Sequence, residues 1–455
     1  MANRTRQLVG PAYLFLCLIL GGSAQGIWQN MVLQLVGLAL IAWAAFDDDP
    51  FRLDRHARHL LVIAILGVVL VVLQAVPLPA SVWTHLGGRR IIAHGYDILG
   101  IGAHSVPLSL APYRSLDSLL GLIPPLALFI AIVSRGAYRP SWLAAALLLG
   151  AMAGVILGAL QMSDTGNIAD SHWYIYEQTN YGFATGFFAN ANHMADLLAC
   201  TLPFLAALLV SARSGNRQRN TAIIVAVAAA TLLIVIGIAL NHSLAVYGLT
   251  PPVLAASALI LVPKRSMWRR WWTLATAVLV VASVAGLATT SVRTGQLGSD
   301  LQSSAQSREQ MLSTTAHAMR DFLPWGSGLG SFVNVYHLYE DPAQVNDSYV
   351  IHAHNDYAEL ALETGIPGIL LMLAFLIWLA GAVWSSWRDP DASAYARAAS
   401  IASGAILLHS VVDFPLRTAA IEAVFAMCLA LLIERRTSAV RVSSDLRPTR
   451  HLVFR

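Results

Sequence analysis

The sequence predicts an all-α, polytopic membrane protein of about 12 transmembrane helices with one large exoplasmic loop. Three observations carry this. Of the 455 residues 56 % are hydrophobic and 12 % charged, and the mean hydropathy is +0.61, too apolar for a water-exposed globular surface. Apolar runs of about 17 to 22 residues recur along the chain. The polar residues gather between those runs, most of all between residues 291 and 364.

The runs lie near 8–24, 27–46, 60–76, 115–134, 140–162, 193–211, 221–240, 244–262, 271–290, 366–387, 398–412 and 419–433. The first reads as a retained span, because no small-residue cleavage site follows it. Residues 1–290 thus hold helices 1 to 9 with short loops, and 291–364 form the large loop with short helices. Residues 365–433 hold helices 10 to 12, and 434–455 form a basic tail without periodicity.

Lys and Arg resist translocation, so their placement sets orientation. Of the 29 basic residues, 22 fall at the N-terminus, in alternate loops and in the tail, which puts both termini in the cytoplasm. The net charge of +4 is mostly this bias and does not call for nucleic acid. The opposite side keeps Arg89, Arg90, Arg114, Arg293, Arg308, Arg320 and Arg417, while the one lysine, Lys264, is cytoplasmic. Guanidinium groups suit bidentate contact with phosphate, although a chain that prefers arginine throughout gives the same pattern. Cys17, Cys200 and Cys428 fall in predicted spans and read as packing residues, with no disulfide framework.

Several exoplasmic segments place polar groups at the ends of spans. Arg114 follows Pro112 and Tyr113 just before the fourth span, where it can reach the membrane surface or a ligand. Asn190-Ala191-Asn192-His193 opens the sixth span; Asn192 suits an N-cap and, equally, a binding role. Asn241-His242-Ser243 is the whole turn after the seventh span. In the large loop a polar linker becomes an amphipathic helix with Met311, Thr315, Ala318 and Phe322 on one face and Arg308 on its first turn. Gly326-Ser327-Gly328-Leu329-Gly330-Ser331-Phe332 follows. It reads as a tight turn, and also as a place where N–H groups could meet a diphosphate.

The stretch Ile351 to Leu371 runs from a histidine-bearing polar segment straight into an apolar span. Asp356 with Glu359 suits a helix N-cap, and Gly365 followed by Pro367 breaks the chain before the span, leaving a short polar helix at the membrane surface. His352-Ala353-His354-Asn355-Asp356 admits two chemistries. Imidazole and carboxylate at alternate positions can share a metal, with His193, His337, Asp347 or Asp413 brought in by folding. Alternatively, an imidazole near its ordinary pKa can take a proton from a sugar hydroxyl attacking an activated anomeric carbon. A diphosphate leaving group then needs cations as its charge grows. His354, Arg308, Arg114 and Arg417 fit these roles.

His354-Asn355, nine residues, then Gly365-Ile366-Pro367-Gly368 resembles the signature of the O-antigen ligase and polymerase superfamily. Asn-Ala-Asn-His at 190–193, the Arg308 helix, the glycine turn and Asp413-Phe414-Pro415-Leu416-Arg417 resemble further blocks of its exopolysaccharide polymerase branch. The resemblance implies a metal-independent, inverting glycosyl transfer without cofactor, on the periplasmic face of the bacterial inner membrane. The donor would be an undecaprenyl-diphosphate-linked glycan and the acceptor a glycan hydroxyl, with a chain-length regulator protein as a further partner. His354 and Arg308 become the catalytic candidates; Arg114, Arg417, Asn192, His193, His242 and Asn355 the substrate-binding ones. Family members commonly carry Ser-Arg where this chain has Asn241-His242, so either His242 replaces that arginine or Arg114 or Arg417 does. A ligase differs only in its acceptor. A transporter or flippase is the alternative from another class, and the concentration of polar residues in one loop rather than at span centres speaks against it.

Overall fold

The computed structural model describes residues 2–23, 27–46, 53, 55–164, 171–262, 266, 268–290, 299–345 and 349–433. The tail after 433, most of the loop at 47–54, Lys264, Arg293 and Asp347 lie outside these. The first helices are α1 (Ala2–Leu20), α2 (Trp28–Phe46) and α3 (Arg55–Gln74). A lobe follows with α4 (Ala80–Trp83) and α5 (Arg90–Ile98) between β1 (Pro77–Leu78) and β2 (Val106–Pro107), which pair antiparallel at its base. Next come α6 (Pro112–Gly121), α7 (Ile123–Arg135), α8 (Pro140–Ser163), α9 (Ala191–Ala212), α10 (Arg217–Asn241), α11 (Leu244–Leu261) and α12 (Trp268–Thr290). The large loop carries α13 (Ser299–Phe322) and α14 (Phe332–Tyr339), and the chain closes with α15 (Asp356–Arg388), α16 (Ala394–His409) and α17 (Ala419–Ile433).

Every predicted span falls on a helix. Eight helical stretches among the described residues are long and apolar enough to cross a membrane: α2, α3, α6 with α7, α8, α9, α10, α11 and α15. The other four predicted spans coincide with α1, α12, α16 and α17. With successive helices alternating in direction, the described residues 77–111, 171–190, 241–243, 299–345, 349–355 and 410–418 all emerge at one end of the bundle.

The bundle core is built by α1, α7, α8, α9, α16 and α17, with Leu14, Leu128, Leu147, Phe204, Ile406 and Val424 inside it. Helix α9 is buried along most of its length, whereas α3 and α10 turn apolar faces outward, as lipid-facing helices do. Cys17, Cys200 and Cys428 are buried free thiols within this core. The loop has a small core of its own, in which the predicted face of α13 closes on α14: Met311, Ala318, Phe322, Phe332, Val335 and Tyr336 are buried together, with Thr315 beside them. Helix α13 begins at Ser299, so Arg308 sits in its middle rather than on its first turn.

The glycine turn and the break in α15 form one joint. Gly365 has φ 61° and ψ −155°, a conformation that needs glycine. A Cβ there would overlap the Pro324 carbonyl oxygen, and one on Gly326 would overlap the Glu363 carbonyl oxygen. Ile366 N–H donates to the Pro324 oxygen at 2.8 Å, and Gly328 N–H to the Glu363 oxygen at 2.8 Å. Gln74, at the end of α3, ties in by donating to the Glu363 oxygen at 3.0 Å and accepting from Leu329 N–H at 3.1 Å. Ser327 N–H reaches the Leu362 oxygen and Phe332 N–H the Glu363 carboxylate. The backbone donors of this turn are therefore engaged within the protein, and the tight-turn reading holds over a diphosphate cradle.

Candidate functional site

The candidate site lies at the loop-bearing end of the bundle, where the segment before α15, the N-terminus of α9 and the α16–α17 turn meet. The cap of α15 is Asn355, whose Oδ1 accepts from Ala358 N–H at 2.9 Å, not Asp356 as expected. Asn355 also donates from Nδ2 to the Val411 carbonyl at 2.8 Å, and Asp356 N–H reaches the Ser410 oxygen at 3.0 Å. These contacts bind the start of α15 to the α16–α17 turn. The same replacement occurs at α9, where Asn190 is the cap, accepting from Asn192 N–H. That frees the Asn192 side chain, which donates to Asp413 Oδ2 at 2.7 Å.

Two histidines separated by one residue face two carboxylates. His352 Nδ1 lies 2.9 Å from Glu359 Oε1, whose other oxygen accepts Ala353 N–H at 2.9 Å. His354 has a left-handed backbone, φ 50°, which swings its ring the other way. Its Nδ1 lies 3.3 Å from Asp413 Oδ1. The His354 side chain is 26 % exposed although Nδ1 itself is buried, so the edge bearing Nε2 is the one that reaches the open side. The ring of Phe414 is the common wall: His193, His352 and His354 stand 5.1, 4.3 and 4.9 Å from its centroid.

Asp413 is the centre of the arrangement. Its Oδ1 accepts Phe414 N–H at 2.9 Å and faces His354; its Oδ2 accepts Asn192 and faces His409 Nε2 at 3.8 Å. Burial alone would raise this carboxyl, but His354, then His193 and His409, outweigh it and hold Asp413 well below the ordinary carboxylate range. A carboxyl lowered by folding adds stability above its unfolded-state range and loses it only as pH falls through the lower folded value. Asp413 thus stays an anion at neutral pH. A carboxylate behind Nδ1 fixes which imidazole nitrogen carries the proton and leaves Nε2 free to accept one.

Arg417 is placed differently from Arg308 and Arg114. It lies 3.4 Å from Asp356 Oδ1, 3.1 Å from Glu359 Oε1 and 3.8 Å from Glu363 Oε2. Burial disfavours its charge, yet Glu359, Glu363 and Asp356 together raise its pKa above the ordinary arginine range. Glu359 is its principal counterion, while burial raises Asp356 to about 6 and Glu363 to about 7, and the guanidinium serves as a strut beneath His352. Replacing Arg417 with Ala leaves buried carboxylates unpaired and is expected to destabilise the protein by about 3–5 kcal/mol. Lys recovers only part, because Nε and Nη2 serve different partners. Thermal stability in detergent checks this: an Ala variant as stable as wild type would remove the strut.

Arg308 is half-buried, makes no ion pair among the described residues, and is near enough for its charge to act on His409. Arg114 is exposed, its guanidinium 5.8 Å over the Tyr113 ring. Arg89 is buried, bonds the Leu108 carbonyl, and is lowered to about 10 by burial. His242 is an exposed αL residue with φ 56°, its ring 5.8 Å from Phe183. The geometry therefore brings His354, Asn355, Asn192, His193 and Arg417 together around Asp413 and Glu359, with Arg308 near; Arg114 and His242 make no contact with this cluster. Asp196, His409, Glu363 and Phe414 belong to the site and were not singled out by sequence. Ionisable residues inside an apolar span were the available signal.

A helical bundle with eight stretches long and apolar enough to cross a membrane among the described residues, and a histidine–carboxylate cluster at one end, defines a multi-pass membrane protein. Residues 228–373 match the family model described as O-antigen ligase. The match covers about a third of the chain and supports a likeness to the O-antigen ligase/polymerase superfamily. It takes in Arg308, the glycine turn, His354 and Gly365, while Asn192, Asp413 and Arg417 lie outside it. No curated protein matches the chain.

Proposed function

We propose that this protein transfers a glycan from an undecaprenyl-diphosphate carrier to a sugar hydroxyl of a second lipid-linked repeat, at the periplasmic face of a bacterial inner membrane. The observation that carries this reading is His354, backed at Nδ1 by the buried anion of Asp413 and open at its other edge. In the proposed step Nε2 takes the acceptor hydroxyl proton as that oxygen attacks the anomeric carbon. The bond from that carbon to the diphosphate oxygen breaks, with inversion, and the leaving diphosphate gains negative charge. Asp413 stabilises the imidazolium that forms. Arg308 is the cation assigned to the diphosphate, with Arg114 at the exposed rim; Arg417 supports the site from below.

Arg308→Ala is expected to lower kcat by about 10²-fold, the effect of removing one charge-stabilising donor from a transition state. The assay is purified protein with lipid-linked repeat units, products resolved by length. A ladder of longer lipid-linked chains from the wild type supports polymerisation. Transfer only when a lipid A-core acceptor is added would make it a ligase, and glycan crossing the bilayer unchanged would make it a transporter.

A further inference from the structure

We infer that Asp196 and His409 are positioning residues for His354, acting through Asp413: they form a second, fully buried histidine–carboxylate pair that keeps Asp413 charged and aimed. The inference rests on the proposed role of His354. Four side chains stand in line from the open edge of the site into the bundle. His354 Nδ1 is 3.3 Å from Asp413 Oδ1; Asp413 Oδ2 is 3.8 Å from His409 Nε2; His409 Nδ1 is 3.4 Å from Asp196 Oδ1. Asp196 and His409 have no exposed side-chain surface.

Packing alone does not account for this pair. Asp196 sits on α9, within the most buried span, and His409 ends α16. Their neighbours on both helices are mainly Ala and Leu, such as Leu197, Leu198, Ala405 and Ile406. Apolar residues of similar volume would fill the space without the desolvation penalty of two buried charges, and ionisable groups in such positions are retained for function. Asp413 supplies the reason. The groups facing it are His354 from the segment before α15, His193 and Asn192 from α9, His409 from α16, and its own neighbour Phe414 N–H. Asn192 and Phe414 donate hydrogen bonds but carry no charge, His193 has neither ring nitrogen hydrogen-bonded, and His354 must remain able to lose and gain a proton. His409 is then the group whose charge has support, because Asp196 lies on its far side at 3.4 Å.

The consequence is directional. Without His409, Asp413 is easier to protonate, and a neutral Asp413 no longer orients His354 or stabilises its imidazolium. His409→Gln is expected to lower kcat at least tenfold, part of the 10²–10⁴-fold that general base catalysis supplies, with KM for the lipid-linked donor unchanged. The acid limb of the pH–rate profile moves to higher pH. Asp196→Asn gives a smaller change in the same sense, since His409 keeps Asp413 as a partner.

The experiment measures kcat, KM and the pH profile of both single variants, of Asp196→Asn with His409→Gln, and of His354→Asn, all in proteoliposomes with lipid-linked repeats. The double variant leaves no orphan buried charge, so it decides the matter if a single variant is not recovered. A displaced acid limb in His409→Gln and in the double variant supports the inference. A wild-type profile in the double variant, with or without a lower melting temperature, overturns it by making the pair a stitch between α9 and α16. Full activity in His354→Asn would instead overturn the role of His354, a result distinct from either.

Discussion

His354→Asn is expected to reduce kcat by about 10²–10⁴-fold, the range that a positioned general base contributes, while the protein accumulates in the membrane at wild-type level. Asparagine is the informative replacement because residue 354 has φ 50°, and Asn tolerates a left-handed backbone better than Ala. The carboxamide occupies much of the ring's space but cannot take a proton at neutral pH. In a strain lacking the gene, surface polysaccharide resolved by size should lose its long chains, and single lipid-linked repeats should build up. Normal polymer from a variant present at normal level would sink the assignment of His354 and reduce the stretch around it to a structural joint.

Gly365→Ala is expected to destabilise the protein by about 3 kcal/mol or more. Placing a side chain in a glycine-only backbone region costs roughly 1–3 kcal/mol, and the overlap with the Pro324 oxygen and Gly326 nitrogen adds about 1–3 kcal/mol of overpacking. Relief by backbone movement would break the Ile366-to-Pro324 hydrogen bond and pull the glycine turn away from α15. Gly381 lies on the same helix, and a Cβ added there would meet nothing within 4 Å, so Gly381→Ala should be neutral or stabilising by about 0.4–1 kcal/mol. Thermal unfolding of the two variants side by side in detergent tests the contrast. Equal melting temperatures would mean that the joint carries no strain.

The spans were legible because lipid imposes length and apolarity on each of them independently, so each can be read from local composition. The face of α13 was legible for a similar reason: Met311, Thr315, Ala318 and Phe322 follow helical spacing and are all buried. The two caps fall a residue or two from their expected places, since Asn190, Asn192, Asn355 and Asp356 have equal claims on a cap until a distant partner takes one of them. Asp413 takes Asn192, and Ser410 with Arg417 takes Asp356. Arg417 could be recognised as a cation at the right end of the bundle, but not that Glu359, Glu363 and Asp356 surround it. Asp196 and His409 were hidden because the pair closes between α9 and α16, more than two hundred positions apart, and neither residue stands in a polar block.

The distance along the chain between His354 and Asp413 has a consequence for biogenesis. Synthesis at roughly 5–20 residues per second makes Asp413 about 3–12 s after His354. During that interval the imidazole is already in place at the start of α15, while the turn that supplies its carboxylate, its aromatic wall and the arginine strut has yet to be made. A nascent chain with every earlier helix made therefore still lacks the turn that completes this cluster. On the proposed role of His354, activity then waits for the last hairpin, α16 to α17, and chains truncated within it are expected to be inactive.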